Sequence, residues 1–365
     1  MRKIAITVFS LLAGFTTMAQ DSKSPLSFSG YLDSYYSYNF NNPADNSNGG
    51  LTGTARAFDL KSNQFSLGLV QTKAQYATEK TNAVIDLTFG PNAELGQYGS
   101  KVGSSVIIKQ AYFDWKATDK LTFTAGQFGT HIGYEVIDAP INYHYSLSNL
   151  FNNGPFYHVG VKANYAISDK LSIMAGLVNN VDQLNDDNDS PGLIAQVYAK
   201  PNDKLSLYLN GIYSNEANGN TTTGKTPDAN YALLDLVMNY QATDKFLIGL
   251  NAATGSQRGE YQTVSAGDTA KSWGGAALYL KYDFKPTYSI GARIENFDNT
   301  NGVRGLGPAR VTSITLTPTF TVGNGHLLLK PEFRMDSFNK DFFTDGDGKA
   351  TKSQITATWA MIYKF

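Results

Sequence analysis

Apolar residues fall on alternate positions along most of this chain. From about residue 27 to Phe365 they do so in runs of about nine to thirteen residues, and period two is the spacing of a β-strand. Such lengths suit strands that cross a membrane at a tilt, which need about 9–11 residues, better than globular strands of about 5–6. The last segment is the clearest. Ile355, Ala357, Trp359, Met361, Tyr363 and Phe365 share one face, and Gln354, Thr356, Thr358 and Lys364 share the other. Ala360 and Ile362 interrupt the polar face.

Two kinds of connection join the runs. Ala117-Thr118-Asp119-Lys120, Ile167-Ser168-Asp169-Lys170, Pro201-Asn202-Asp203-Lys204 and Ala242-Thr243-Asp244-Lys245 are short. Asp and Asn favour such tight turns by bonding the local backbone. The remaining connections, 41–58, 91–104, 129–155, 181–190, 215–228, 255–270, 298–308 and 339–350, are long and polar. If short and long connections alternate, strands fall near 27–40, 59–77, 82–90, 105–117, 120–128, 156–167, 170–180, 191–201, 203–214, 229–242, 244–254, 271–284, 286–297, 309–322, 325–338 and 351–365. The pattern predicts an all-β fold, a transmembrane antiparallel barrel of about sixteen strands with short periplasmic turns and long extracellular loops. A soluble β-sandwich also alternates. Strand length, even count, unequal connections and the aromatic terminus favour the barrel.

Charge then sets which way each strand faces. Lys330, Glu332, Arg334 and Asp336 interleave with Leu327, Leu329, Phe333 and Met335, and Arg293 and Glu295 interleave with Ile290, Ala292 and Ile294. A lipid-facing Lys or Arg costs about 2–4 kcal/mol near the midplane, so these charges are expected to face a wet lumen. Lys109 shares its face with Ile107, Ala111, Phe113 and Trp115, and is expected near the outer rim. Trp115, Tyr282, Phe284, Trp359, Tyr363 and Phe365 lie near short turns or the C-terminus, where aromatic rings collect at a membrane interface.

Composition narrows the classes. The 365 residues include no cysteine, 22 Tyr and 21 Phe, and only 17% are charged. That excludes disulfides, thiol catalysis, Cys-ligated zinc and a disordered chain. Thirty basic residues against 31 acidic give no electrostatic case for nucleic acid. Mean hydropathy is −0.27, and no run reaches the roughly 18 apolar residues of a spanning helix. Those figures exclude a helical membrane protein and leave a barrel untouched. Met1-Arg2-Lys3, the apolar run Ile4 to Phe15 and Thr17-Met18-Ala19-Gln20 have the form of a cleaved export signal. Residues 1–19 are therefore expected to be the leader and 20–365 the barrel. Loss of Arg2 and Lys3 leaves 28 basic against 31 acidic residues, a formal −3.

Tyr363 followed two residues later by a terminal Phe365 resembles the signal by which the barrel assembly machinery recognises its clients. The stretch Gly126-Gln127-Phe128-Gly129-Thr130-His131-Ile132-Gly133-Tyr134-Glu135-Val136-Ile137-Asp138-Ala139-Pro140, with Asn142, Tyr145-Ser146-Leu147-Ser148 and Leu150-Phe151, resembles the central block of the OmpL-like β-barrel porins. Phe28-Ser29-Gly30-Tyr31-Leu32-Asp33 and Gln110-Ala111-Tyr112 are similar to the same family. The resemblance covers nearly the whole mature chain and implies a pore-forming barrel in the outer membrane of a Gram-negative bacterium. The Ala19-Gln20 junction is similar to those of the Bacteroidetes lineage. No substrate follows from it.

The long connection 129–155 is rich in Tyr and His, and long irregular segments in compact folds are usually functional. It is expected to fold into the barrel and narrow the pore, with His131, Tyr134, Glu135, Asp138, Tyr143 and His144 lining the constriction. The alternative is a loop packed outside over the rim. Facing the constriction, Lys162, Arg293, Lys330 and Arg334 would form a positive wall and Asp86, Glu295, Glu332 and Asp336 a negative one, with His158 also lining the pore and the Thr315, Thr317, Thr319, Thr321 row as a wet stripe. With both signs present, strong ion selectivity is not expected. The histidines and serines form no spaced catalytic motif, so no enzyme and no cofactor are expected. Asp186, Asp187 and Asp189, like Asp341, Asp345 and Asp347, lack full calcium-loop spacing and read as solvated tips; no metal is expected. The expected function is passive diffusion of small hydrophilic solutes through a water-filled barrel. A non-conducting barrel with a surface-binding or structural role is the alternative. Partners are outer-membrane lipid, the assembly machinery and the solutes, with homo-oligomers left open.

Overall fold

The computed structural model describes residues 25–95, 106–186, 188–216, 229–261 and 264–365. Residues 1–19, the expected leader, and Asp187 lie outside that set. The chain runs β1 (Leu26–Asn39), β2 (Gln64–Ala77), β3 (Thr81–Phe89), α1 (Pro91–Leu95), β4 (Val106–Lys116), β5 (Leu121–Gly129), α2 (Asn149–Asn153), β6 (Tyr157–Ser168), β7 (Leu171–Val178), β8 (Gly192–Asn202), β9 (Leu205–Asn215), β10 (Asn230–Gln241) and β11 (Phe246–Arg258). It continues through β12 (Glu260–Tyr261), β13 (Val264–Ser265), β14 (Lys271–Lys285), β15 (Tyr288–Asn299), β16 (Ala309–Val322), β17 (Leu327–Phe338), β18 (Phe343–Thr344), β19 (Ala350–Thr351) and β20 (Ser353–Lys364). Sixteen of these close an antiparallel barrel, each paired with its neighbours in sequence and β1 with β20. The pairs β12–β13 and β18–β19 are small ribbons within long loops.

Closure satisfies every strand edge, which hydrocarbon requires. The outer face follows the expected phase: Ile294, Leu278 and Ile314 lie side by side in register and are exposed, as are Leu316 and Phe333. The predicted aromatic residues form an external belt at the short-turn end. Trp115 stacks on Phe123, and Tyr282, Phe284, Tyr288 and Phe320 follow one another around the wall. Chain closure ends there too, where Gly30 N–H donates to Phe365 O at 3.1 Å.

Three of the short turns are held by a Ser or Thr where Asp or Asn was expected, and the fourth by the expected Asn202. Thr118, Thr243, Ser168 and Asn202, each immediately before the Asp, accept from the backbone N–H two residues on. The aspartates do other work: Asp119 and Asp203 pair with Lys116 and Lys200.

Lys109 is not at the outer rim. A β-bulge in β4 shifts the register between Asp86–Gln110 and Leu87–Ile108. One extra residue reverses the phase of everything before it, so Ile108 is exposed outward, Ile107 is buried inside and Lys109 points inward. Gln127 covers the disturbed backbone from β5, its amide donating to Ile108 O at 2.8 Å.

Ala360 and Ile362 also have an explanation. Both are fully buried inside, in a cluster with Tyr31, Tyr35, Leu328 and Tyr145. Nor is the inside wet throughout. Towards the long-loop end the inward positions Val178, Ile194, Ile212, Leu233, Trp273, Phe297, Val311 and Phe338 are buried against loop residues Val181, Tyr261, Val303, Leu306, Phe342 and Phe343.

Candidate functional site

The segment between β5 and β6 crosses the bore as a strap. Its base is closed where Thr130 N–H donates to Phe156 O at 3.1 Å. Gly133 takes a φ of +92°, which favours glycine. Near the end of the strap α2 begins at Ser148, whose hydroxyl accepts from Phe151 N–H. Long unpaired backbone inside a barrel needs partners, and the walls supply carboxylates. Gly133 N–H donates to Asp235 at 3.0 Å, Tyr145 and Ser146 N–H to Glu332 at 2.7 and 3.1 Å, and Asn149 N–H to Glu295 at 2.7 Å. Ser148 N–H donates to the strap's own Glu135 at 2.7 Å.

Side chains complete the anchoring. Tyr134 donates to Asn239 at 2.8 Å and stacks on Tyr279 with ring centres 4.2 Å apart. The ring reaches the wall because Gly249 has no side chain; a Cβ there would overlap it. Glu135 pairs with Arg293 at 2.5 Å, and the same guanidinium donates to Ser146 O at 2.9 Å. Asp138 pairs with Lys109 at 2.5 Å, beside Asp86. His144 bonds Thr317 at 2.7 Å, Tyr145 donates to Asp33 at 2.7 Å, Lys330 donates to Ala139 O and Asn142 O, and Arg334 to Leu147 O. His131 bonds Gly211 O at 3.1 Å. Burial pushes the His131 imidazole down to about 4 and His144 well below its usual range, so neither strap histidine is a cation at neutral pH.

The two expected walls of opposite sign do not exist. Positive and negative groups alternate along one connected ladder on the β15–β17 side: Glu135, Arg293, Glu295, Arg334, Asp336, Arg56 and Asp59, in contact from each to the next. Arg56 and Asp59 come from the loop before β2. Arg293, Arg334 and Glu295 are fully buried beneath the strap. Thr315 and Thr317, expected as half of a wet stripe, are buried there as well, bonding Arg293 and Glu332. His158 faces inward, bonded to Thr130 and 5.6 Å from the His131 ring. Tyr143 lies beside Tyr134, and Lys281 stands 5.6 Å from its ring.

Several residues that hold the strap or the ladder beneath it escaped sequence reasoning: Asp33, Gln71, whose amide donates to Asp138 at 2.9 Å, Asp235, Asn239 and Arg56. Strand parity could have found Asp235, a carboxylate at an inward position between the outward Leu234 and Leu236, and Asp33, which shares its inward phase with Tyr31 and Tyr35. Arg56 carries no such signal, because it sits in an irregular loop. Among the described residues no group of three or more His, Asp or Glu side chains is placed to hold a metal ion.

A closed sixteen-strand antiparallel barrel with short turns at one end, long loops at the other and a strap folded into its bore defines the class of outer-membrane porin barrels. The chain belongs to the family described as "Putative beta-barrel porin-2, OmpL-like", which matches residues 25–365. No curated protein matches it. Among solved structures it is similar to OprB of Pseudomonas putida (TM-score 0.60, 13% identity, 93% of this chain and 94% of that one). It is also similar to the outer membrane channel DcaP of Acinetobacter baumannii (0.59, 13%, 93% and 97%) and to an anion-selective porin from Comamonas acidovorans (0.59, 10%, 93% and 99%). At these identities the likeness is one of fold. The protein is an outer-membrane barrel of the porin kind.

Proposed function

We propose that the barrel is a narrow passive channel for small hydrophilic solutes, with the 130–156 strap as its constriction and no catalytic role. The observation that supports this most is the strap itself, bonded through polar groups to β1, β4, β10 and β15–β17. Beyond it, towards the short turns, inward side chains such as Asp114, Lys162, Asn164, Gln196, Tyr198 and Asn239 are partly exposed and polar, as a water-filled vestibule needs. Export by a cleaved leader at residues 1–19, recognition of Tyr363 and Phe365 by the assembly machinery, and a Gram-negative, Bacteroidetes source belong to this reading, as does insertion into outer-membrane lipid.

A second reading is favoured by one feature. The apolar cluster at the long-loop end unites residues of six strands or more with loop residues that are almost wholly buried, as a plug would. A barrel so capped would serve as a surface-binding or structural protein unless its loops move. Single-channel recording separates the two. Discrete open steps from folded protein support the channel, and silence defeats it. Removing residues 131–149 from a barrel that still folds is expected to enlarge the steps; unchanged conductance would remove the constriction role.

A further inference from the structure

Resting on the channel reading, we propose that Lys162 gives this channel a preference for anions. The cations that the walls turn towards the strap are otherwise engaged. Arg56, Arg293 and Arg334 sit in the carboxylate ladder, Lys109 is held by Asp138 and Asp86, Lys330 donates to two strap carbonyls, Lys281 pairs with Asp283 and Lys73 is buried. Those charges cancel locally and are covered, so a passing ion senses little of them. Lys162 is different. Among the described residues it forms no ion pair. Its ammonium stands 4.3 Å from the Phe128 ring centre, directly below the point where the strap leaves β5, and the side chain is partly exposed inside the barrel.

The nearest opposing charge, Asp114, is tethered. Register places Asp114, Thr124 and Lys162 in one row across β4, β5 and β6, so the Cα atoms of Asp114 and Lys162 stand two strand spacings apart, about 10 Å. Asp114 accepts from Thr124 at 2.7 Å and from Asn82 at 2.9 Å, which holds its carboxylate against the wall. Lys162 carries a longer stem and no such tether. Of the histidines beside it, His131 is neutral and adds no charge. The result is an accessible positive charge without an ion-pair partner among the described residues at the narrowing, where a low-dielectric wall strengthens its field.

The test uses the mature chain, which contains no cysteine of its own. Wild type and Lys162→Cys are reconstituted in planar bilayers under a KCl gradient at low salt, and the introduced thiol is modified during recording with a cationic or an anionic methanethiosulfonate. Wild type is expected to favour chloride, the cationic adduct to restore that preference, and the anionic adduct to turn it towards potassium. The chloride-to-potassium permeability ratios of the two adducts should differ by about ten-fold or more, since a charge within a Debye length of the ion is reversed. Equal zero-current potentials for the two adducts, or a thiol that mass spectrometry finds unmodified, overturn the proposal while leaving the channel reading intact. Silence from folded wild type defeats the channel reading and this proposal with it.

Discussion

Removing the guanidinium at position 293 is the sharpest test of how the strap is held. Arg293 is fully buried, pairs with Glu135 at 2.5 Å, donates to Ser146 O at 2.9 Å and to Thr315 at 3.2 Å, and lies 3.4 Å from Glu295. Arg293→Met keeps most of the stem volume but strands the buried Glu135 carboxylate and leaves Glu295 with Arg334 alone, 3.7 Å away. Removing one partner of a buried pair costs about 3–5 kcal/mol, because the remaining charge stays desolvated. Both carboxylates accept strap amides, Ser148 N–H on Glu135 and Asn149 N–H on Glu295. The cost therefore falls on strap ordering, and the sixteen-strand ladder is left in place. At about 1.4 kcal/mol per factor of ten, amide protection at residues 145–149 should fall by roughly a hundred- to a few-thousand-fold, read by hydrogen exchange in micelles. Adding Glu135→Gln removes one stranded charge and should recover part of the loss, a coupling that a double-mutant cycle measures. Protection at 145–149 within a few-fold of wild type in Arg293→Met would refute the claim that the ladder anchors the strap.

Three further outcomes are expected. Asp182 accepts from Phe156 and Tyr157 N–H and faces Tyr261, and burial raises its carboxyl from 3.8 to about 7. The folded junction thus binds the extra proton, its added stability is complete below about pH 4 and is lost as pH rises through 7; exchange at residues 156–157, corrected for intrinsic rate, should speed up across that range in wild type and lose the dependence in Asp182→Asn. Gly249→Val would push the Tyr134 ring from its stack on Tyr279, an overpacking cost of about 1–3 kcal/mol visible as faster strap proteolysis with barrel heat-modifiability retained. Ile294→Lys places a charge among Leu278 and Ile314 on the lipid face, and urea titration of the vesicle-embedded barrel should show a loss of about 2–4 kcal/mol.

Strand number, facing and membrane class were legible because alternation is a local property. Each residue's side is set by parity, and the charge penalty in lipid chooses which side is out. Parity fails wherever one residue is inserted into a strand. Lys109 was misplaced for that reason: nothing in Val106–Lys116 marks the bulge, which turns Lys109 inward to Asp138 and Asp86. The strap was legible as an unusual aromatic segment, and its six named residues do lie within the barrel. Their partners were not, since Glu135 meets Arg293 across 158 positions and Tyr145 meets Asp33 across 112.

Alone, then, the amino-acid order determined a sixteen-strand barrel, its inner and outer faces away from the β4 bulge, and its aromatic belt. Tertiary structure decided how the charges are used. Pairing between strands distant in sequence turned two imagined walls into one neutralised ladder and left Lys162 uncommitted beside the strap. It also decided how wet the interior is, because apolar inward positions near the long-loop end become a core only when loops from several parts of the chain fold over them. Local periodicity tells which way a side chain points, and only closure of the barrel tells what it meets there.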